Sequence, residues 1–424
     1  MIRFLFKGLW RDKSRSRLPI IVVATGVTLT IFLHAYIVGF MGDTIEMNAR
    51  FNAGHVKVMT KAFEAASHQL PIDLALGNVS QLLTELQRDF PQMEWSSRIQ
   101  FGGLADVPDE NGETKAQGPF IGMAMNLTGD DSRDIERLQI ASALTQGKLP
   151  ANQTEVLMSD HFARALGLKP GDSFTMMTSS ANASMRMQNF TVSGTLIFGA
   201  ELLDRGSVLM DIGAAQQLLE MEDATAEILG FFKNGYFDSK AADLLVMQFN
   251  SKHDDPEDDF SPVMKSLRAQ GSMGQYVEMA EKWSWYVSFV FILAMSLVLW
   301  NAGLLGGLRR YGEVGLRLAI GEEKKHIYFT LLLESVLIGL AGTFVGTLFG
   351  LLFAWMLQTW GIDISGMMQG ASLMFPSVIK ARITPTDFYL GFFPGILSTL
   401  IGTALSGIGI FKRQTASLFK ELEV

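Results

Sequence analysis

A chain of 424 residues that is 48% hydrophobic, only 18% charged and has a mean hydropathy of +0.22 is too apolar for an ordinary soluble protein. It is also too polar to lie wholly in lipid. A formal net charge of −8 gives no basis for nucleic-acid binding, and the absence of cysteine removes disulfides and thiol chemistry.

Residues 1–17 read as a cytoplasmic amphipathic segment, with Phe4, Leu5, Leu9 and Trp10 apolar beside Arg3, Lys7 and Arg11. A transmembrane helix needs about 20 apolar residues. Four stretches qualify: 18–41, 283–308, 327–357 and 387–411. The first is long for a signal-peptide core and no A-x-A site follows it, so it is expected to stay as a span. The expected fold class is an α-helical membrane protein with four transmembrane helices, one plus three. A large mixed α/β extracytoplasmic domain with stalks, residues 42–282, lies between helices one and two. A short loop (309–326), an external loop too polar to span (358–386) and a tail (412–424) complete the chain.

Orientation follows the positive-inside rule. Arg3, Lys7, Arg11, Lys13, Arg15 and Arg17 precede the first span. Arg309, Arg310, Arg317, Lys324 and Lys325 follow the second, and Lys412, Arg413 and Lys420 follow the fourth. Acidic residues outnumber basic ones in the large block. Both termini and the central loop are therefore expected on the cytoplasmic side and the block outside.

Within the block, GHVKVMT (Gly54 to Thr60) alternates as a strand does, and Asn78 to Asp89 reads as a capped amphipathic helix stopped by Pro91. Trp95 to Val107 and Gln117 to Leu127 read as paired strands around the turn PDENGE, and Asp130 to Leu144 as a helix. Glu155 to Ser179 reads as strand, helix, turn, strand. Strands are expected at Phe190 to Phe198, Gly206 to Met210 and Ala241 to Phe249, and helices at Ile212 to Met221 and Asp255 to Gln270. DTIEMNARFN after the first span and Ser272 to Ser284 before the second stay helix-compatible, as stalks would.

The stretch Leu308 to Glu334 organises the rest. It is short, charged and helical in period, with Val314, Leu318 and Ile320 able to form an apolar side and Arg309, Arg310, Glu313 and Arg317 another. A helix held under a membrane with one face free is a surface on which a soluble partner can push. The third span carries Gly342, Gly346 and Gly350 at GxxxGxxxG spacing, and the fourth carries Gly391, Gly395 and Gly402. Such rows let helices approach closely, here spans three and four on each other or on a second copy. Asn301 and Glu334 are polar positions inside spans. Burying Glu334 costs about 2.5–3.5 kcal/mol, so it requires a partner or a wet position. His34 is expected to be packed or to face a cavity.

These residues resemble the FtsX-like permeases of ABC transporters. That family's central loop carries a motif close to R-x-x-E-I-G-L-R-x-A-L-G-A. It is matched here by Arg310, Glu313, Val314, Gly315, Leu316, Arg317, Ala319, Ile320 and Gly321, with Glu334 where a family glutamate is expected. Asn301 also sits at a recurrent family position. EVLMSDHFARALGLKPGDSF resembles the family's external MacB-like core, and GHVKV resembles the G-H-I-x-I of the lipoprotein-releasing LolC and LolE branch. Glu322 and Glu323 depart from the small or hydroxyl residues usual after the loop glycine, and the tail lacks the family's proline.

The resemblance implies a bacterial inner-membrane permease driven through a coupling helix by a separate cytoplasmic ABC ATPase dimer. Arg309, Arg310, Glu313, Gly315, Arg317 and Gly321 would form the docking surface. It also implies a second permease chain, identical or paralogous, and a periplasmic carrier or adaptor. No G-x-x-x-x-G-K-[ST] occurs in the chain, so ATP and Mg²⁺ belong to the partner and no cofactor is expected here. The histidines show no metal-ligand spacing, no catalytic constellation stands out, and the acidic run Asp254 to Asp259 reads as a solvated turn. The favoured function is moving lipoprotein or lipidic cargo out of the inner membrane. The alternatives are a MacB-like exporter with an outer-membrane channel and an FtsX-like regulator of a periplasmic hydrolase.

Overall fold

In the computed structural model the described residues are 13–128, 133–308, 311–363 and 378–412. They form two compact units. One comprises Met1–Gly42, Ala280–Ile362 and Ile379–Val424; the other comprises Asp43–Met279 and Asp363–Val378. The segment before Lys13 and the tail after Lys412 lie outside the described residues.

The first helix, α1 (Lys13–Asn48), continues past the apolar run as expected of a stalk, and a π-helical turn, Ala49–Ala53, ends it. A ten-stranded sheet follows: β1 (Val56–Thr60), β2 (Met93–Pro108), β3 (Thr114–Met125), β4 (Leu144–Gly147), β5 (Glu155–Ser159), β6 (Ser173–Ser179), β7 (Met185–Leu196), β8 (Ser207–Asp211), β9 (Glu227–Phe232) and β10 (Pro262–Ser266). Helices α2 (Val79–Asp89), α3 (Asp160–Leu166), α4 (Ile212–Leu219) and α5 (Ser239–His253) cover it.

The sixteen-residue β2 divides the sheet into two parts. Its first half pairs with β9, which pairs with β1, which pairs with β10. Leu82, Leu86, Leu245 and Phe249 of α2 and α5 pack there on Val56, Val58 and Ile228. The second half of β2 pairs with both β3 and β6, and the path β3–β8–β5–β7–β6 returns to it. That ring closes around Phe101, Phe120, Val156, Phe174, Phe190 and Met210 and leaves no open edge among those strands.

Four expectations fail in this unit. Ala241 to Phe249 is helical, because Ala242, Leu245 and Phe249 recur at helix spacing and the Asp238 side chain accepts from the Lys240 and Ala241 N–H groups. Asp255 to Gln270 is not a helix, since Pro256 and Pro262 interrupt it, and Pro262–Ser266 becomes the strand beside β1. Asp130 to Leu144 gives two short helices, Arg133–Arg137 and Ile140–Ala143, before β4; residues 130–132 lie outside the described set. The helix at 79–89 forms without a side-chain cap from Asn78; Asp223 accepts from the Ser80 N–H instead.

A buried ion pair fixes β2 to the helix at 133–137. Arg98 donates twice to Asp134, at 2.6 and 2.9 Å, with side-chain exposures of 4% and 2%. Burial pushes the Asp134 carboxyl up, but the Arg98 charge and hydrogen bonds outweigh it and hold the group below the usual carboxylate range. This contribution is present above the ordinary carboxylate pKa and is lost as pH falls through the depressed one. Asp134→Ala strands a buried guanidinium and should cost about 3–5 kcal/mol in denaturant unfolding. Arg133→Ala at the half-exposed Glu94 pair should cost about 1 kcal/mol or less.

The other unit contains α1 up to Gly42, α6 (Gly271–Leu308, whose first turns, like the last turns of α1, belong to the sheet unit), α7 (Tyr311–Ala319), α8 (Lys324–Trp360) and α9 (Thr399–Lys412). Among the described residues, four helical segments are long and apolar enough to cross a membrane: Arg17–Ala53, Gly274–Gly306, Lys324–Trp360 and Asp387–Ile408. The last includes a π-helical turn, Phe393–Ser398, at Pro394, which has no N–H for the regular ladder.

The glycine row of α8 faces α1, not the fourth span. A Cβ on Gly342 would lie 2.6 Å from Val23, one on Gly346 2.6 Å from the Ala24 carbonyl oxygen, and one on Gly350 2.9 Å from Ile31. Thr28 donates to the Gly346 carbonyl at 3.1 Å. Spans three and four do meet, but on the neighbouring face, where Gly391 and Gly395 sit against Thr347 and Thr343, while Gly402 meets the Trp300 backbone of α6. Gly346→Val must push α1 away and should cost about 1–3 kcal/mol, read as a lower melting temperature in detergent.

Candidate functional site

The loop between α6 and α8 forms the short helix α7. Its inner side is Val314, 2% exposed, packed with Leu318 on Ile327 and Leu331 of α8. Gly315 is also buried, and Glu313 is exposed. Ile320 does not join the inner side: it is 78% exposed, as is Leu316 at 55%. At 100° per residue Ile320 is turned well away from Val314 and lies one turn from Leu316. The expected apolar side is thus Val314 and Leu318 alone, and a second apolar pair faces outward.

Gly321, at φ +96°, ends α7. Its N–H donates to the Leu318 carbonyl at 3.1 Å and the Glu322 N–H to the Arg317 carbonyl at 3.1 Å, a double cap that needs a left-handed residue. Gly321 therefore stops one helix so that the next can start at Lys324. Glu322 then closes the turn from outside. Arg317 Nε and Nη2 donate to its two carboxylate oxygens at 2.6 Å each, and His326 lies 3.7 Å away. The Arg317 hydrogen bonds hold the Glu322 carboxyl below its usual range. The side chain that departs from the family's small residue is thus the partner of Arg317. Arg309 and Arg310 lie outside the described residues.

The intramembrane polar positions separate. Asn301 is exposed on α6, whereas Glu334 is half-buried on α8, three residues beyond Leu331. The sequence flagged His34 as packed or facing a cavity, and its partner is a third polar feature. His34 of α1 meets the fully buried Asp387 at 2.7 Å, and Thr384 donates its N–H and hydroxyl to the other Asp387 oxygen at 2.7 and 2.8 Å. The Arg382 N–H donates to the Ala35 carbonyl at 2.9 Å, so the end of the loop after α8 is bound along α1. A histidine inside a span and an acid opening another were the visible signals. Among the described residues there is no group of three or more His, Asp or Glu side chains placed to hold a metal ion.

Residues 285–415, which contain this loop and the last three apolar helices, match the FtsX-like permease C-terminal family. The chain carries an FtsX-like permease domain. It is 21% identical over 349 residues to the lipoprotein-releasing system transmembrane protein LolC of Xylella fastidiosa, covering 81% of this chain and 77% of the relative. The periplasmic region of MacB from Actinobacillus actinomycetemcomitans aligns with 55% of this chain at 12% identity, 96% of that structure's length and a TM-score of 0.35.

The Arg317–Glu322 fork carries a pH dependence of defined sign. A carboxylate whose pKa is depressed keeps its contribution above the ordinary carboxylate range and loses it as pH falls through the folded value. Hydrogen exchange at the Gly321 and Glu322 amides should therefore show less protection, corrected for intrinsic rates, as pH drops below about 4.3. Glu322→Gln should show the lower protection already at neutral pH and little further change on acidification.

Proposed function

We propose that this permease transmits the ATP-driven motion of a separate cytoplasmic ABC ATPase to its α/β unit, and that α7 is the helix the ATPase grips. In this reading the four apolar helices span a bacterial inner membrane with both termini and α7 on the cytoplasmic side. The unit Asp43–Met279 lies on the far side, and two permease chains, identical or paralogous, sit on one ATPase dimer. The work moves a lipoprotein or another lipidic cargo out of the membrane toward a periplasmic carrier, the role suggested by the resemblance to LolC.

The observation that carries this reading is the outward pair on α7. Its inner side is held on α8 by Val314 and Leu318, yet Leu316 and Ile320 remain 55% and 78% exposed one turn apart. An apolar pair on a short helix beside charged Glu313 is the shape that enters a groove of a partner. Arg317 is engaged by Glu322, so it acts by stiffening the turn, and Glu313, Leu316 and Ile320 make the contact.

Leu316→Asp combined with Ile320→Asp should abolish co-purification of the ATPase and its stimulation by the permease. Buried anchors of this kind are worth about 2 kcal/mol or more each. Expression and the melting temperature of the α/β unit should be unchanged. Full stimulation by the double variant would refute the docking surface.

A further inference from the structure

Where α1 ends, the chain turns through Gly54, at φ +65°, where a Cβ would lie 2.6 Å from the Val56 carbonyl oxygen. This turn delivers His55 to the start of β1, fully buried. Its polar groups are engaged by three segments: β9, the stretch before α6, and α1. Its N–H donates to the Gly230 carbonyl at 2.8 Å, and its carbonyl accepts from the Leu267 N–H at 3.0 Å. Ring Nδ1 accepts from the Phe232 N–H at 2.9 Å. That bond leaves the ring proton on Nε2, which lies 2.9 Å from both carboxylate oxygens of Glu46.

Those partners lie at the ends of the two long helices and on β9. Glu46 is in the last turns of α1 and is also bound by Arg50 Nε at 3.1 Å. Gly230 and Phe232 belong to β9, and Leu267 lies just before α6 begins at Gly271. Around them Ala49, Ala53, Leu267 and Val277 form one small core, which unites the last turn of α1 with the first turns of α6. The Phe231, Phe232 and Phe237 rings enclose the imidazole.

We propose that His55 is a positioning residue for the motion, the joint through which displacement of α1 and α6 reaches β1 and β9 together. Apolar contacts alone are non-directional and would let each helix slide against the sheet. Buried hydrogen bonds are directional, and breaking them strands a carboxylate and an amide without water. The proposal rests on the mechanical reading above and adds where the force is delivered.

The test uses the full chain in nanodiscs with its cytoplasmic ATPase. His55→Phe keeps the aromatic packing and removes both ring hydrogen bonds. His55→Gln restores one acceptor and one donor. Three quantities are read: exchange protection of the Phe232 amide, stimulation of ATP hydrolysis, and the ATP-dependent change in exchange across β1 and β9. The Phe variant should lose at least tenfold in Phe232 protection and lose the ATP-dependent change while stimulation persists, and the Gln variant should recover both. An ATP-dependent change that survives intact in His55→Phe overturns the joint. Absence of that change in the wild-type chain overturns the mechanical reading instead. If the Phe variant does not fold, Glu46→Met severs the link to α1, together with the Arg50–Glu46 pair, while keeping the Phe232 bond, and must lose the same ATP-dependent change for the proposal to stand.

Discussion

Lipid tails are as apolar as leucine, so a bilayer supplies no hydrophobic force to press helices together, and close backbone approach must do so. In this chain that constraint is met at α1. Val23, Val27 and Ile31 sit fully or nearly fully buried over Gly342, Gly346 and Gly350 of α8, and Val27 also lies under Gly391 and Gly395. One valine thus touches three glycines from two other helices. The chain could not place side chains larger than hydrogen on those rows without pushing α1 out of the groove.

This explains both what the glycine pattern revealed and what it hid. Spacing of four announces a close contact and is visible in any sequence. It does not name the partner, because a row of glycines is equally open to every helix of matching shape. The third span has two small-residue faces side by side, one of glycine and one of Gly339, Thr343 and Thr347, and only the second receives the fourth span. Threonine was the missed signal, since its hydroxyl makes it look polar while its size makes it a packing residue.

In the α/β unit, strands with alternating or wholly buried patterns were legible, as at β6 and β5. The errors fell on segments whose local composition points one way and whose period points another. Ala242, Leu245 and Phe249 sit among strand-compatible residues, yet the spacing of three and four makes them one helix face. The reverse holds at Pro262–Ser266, where an acidic, helix-like approach ends in a strand because β1 offers an unpaired edge. Ring closure through β2 and β6 was invisible, since it depends on a strand long enough to serve two neighbours.

At the loop the sequence announced a helix but misassigned its faces. Reading Val314, Leu318 and Ile320 as one side ignores that Ile320 stands at the end of the helix, where Gly321 reverses the backbone. Glu322 looked like damage to a motif, yet with Arg317 it forms a two-pronged clamp across that reversal. The two observations belong together. A helix that is to be pushed must not fray or swivel, and the double cap, the clamp and the Val314 contact remove those freedoms from α7. With Arg317 so occupied, the proposed contact with the ATPase falls on Leu316 and Ile320, both exposed. A surface of that composition gains its binding energy by removing Leu316 and Ile320 from water. In the proposed function, a push on those two side chains would reach α8 through Val314, which packs on Ile327 and Leu331 of that helix.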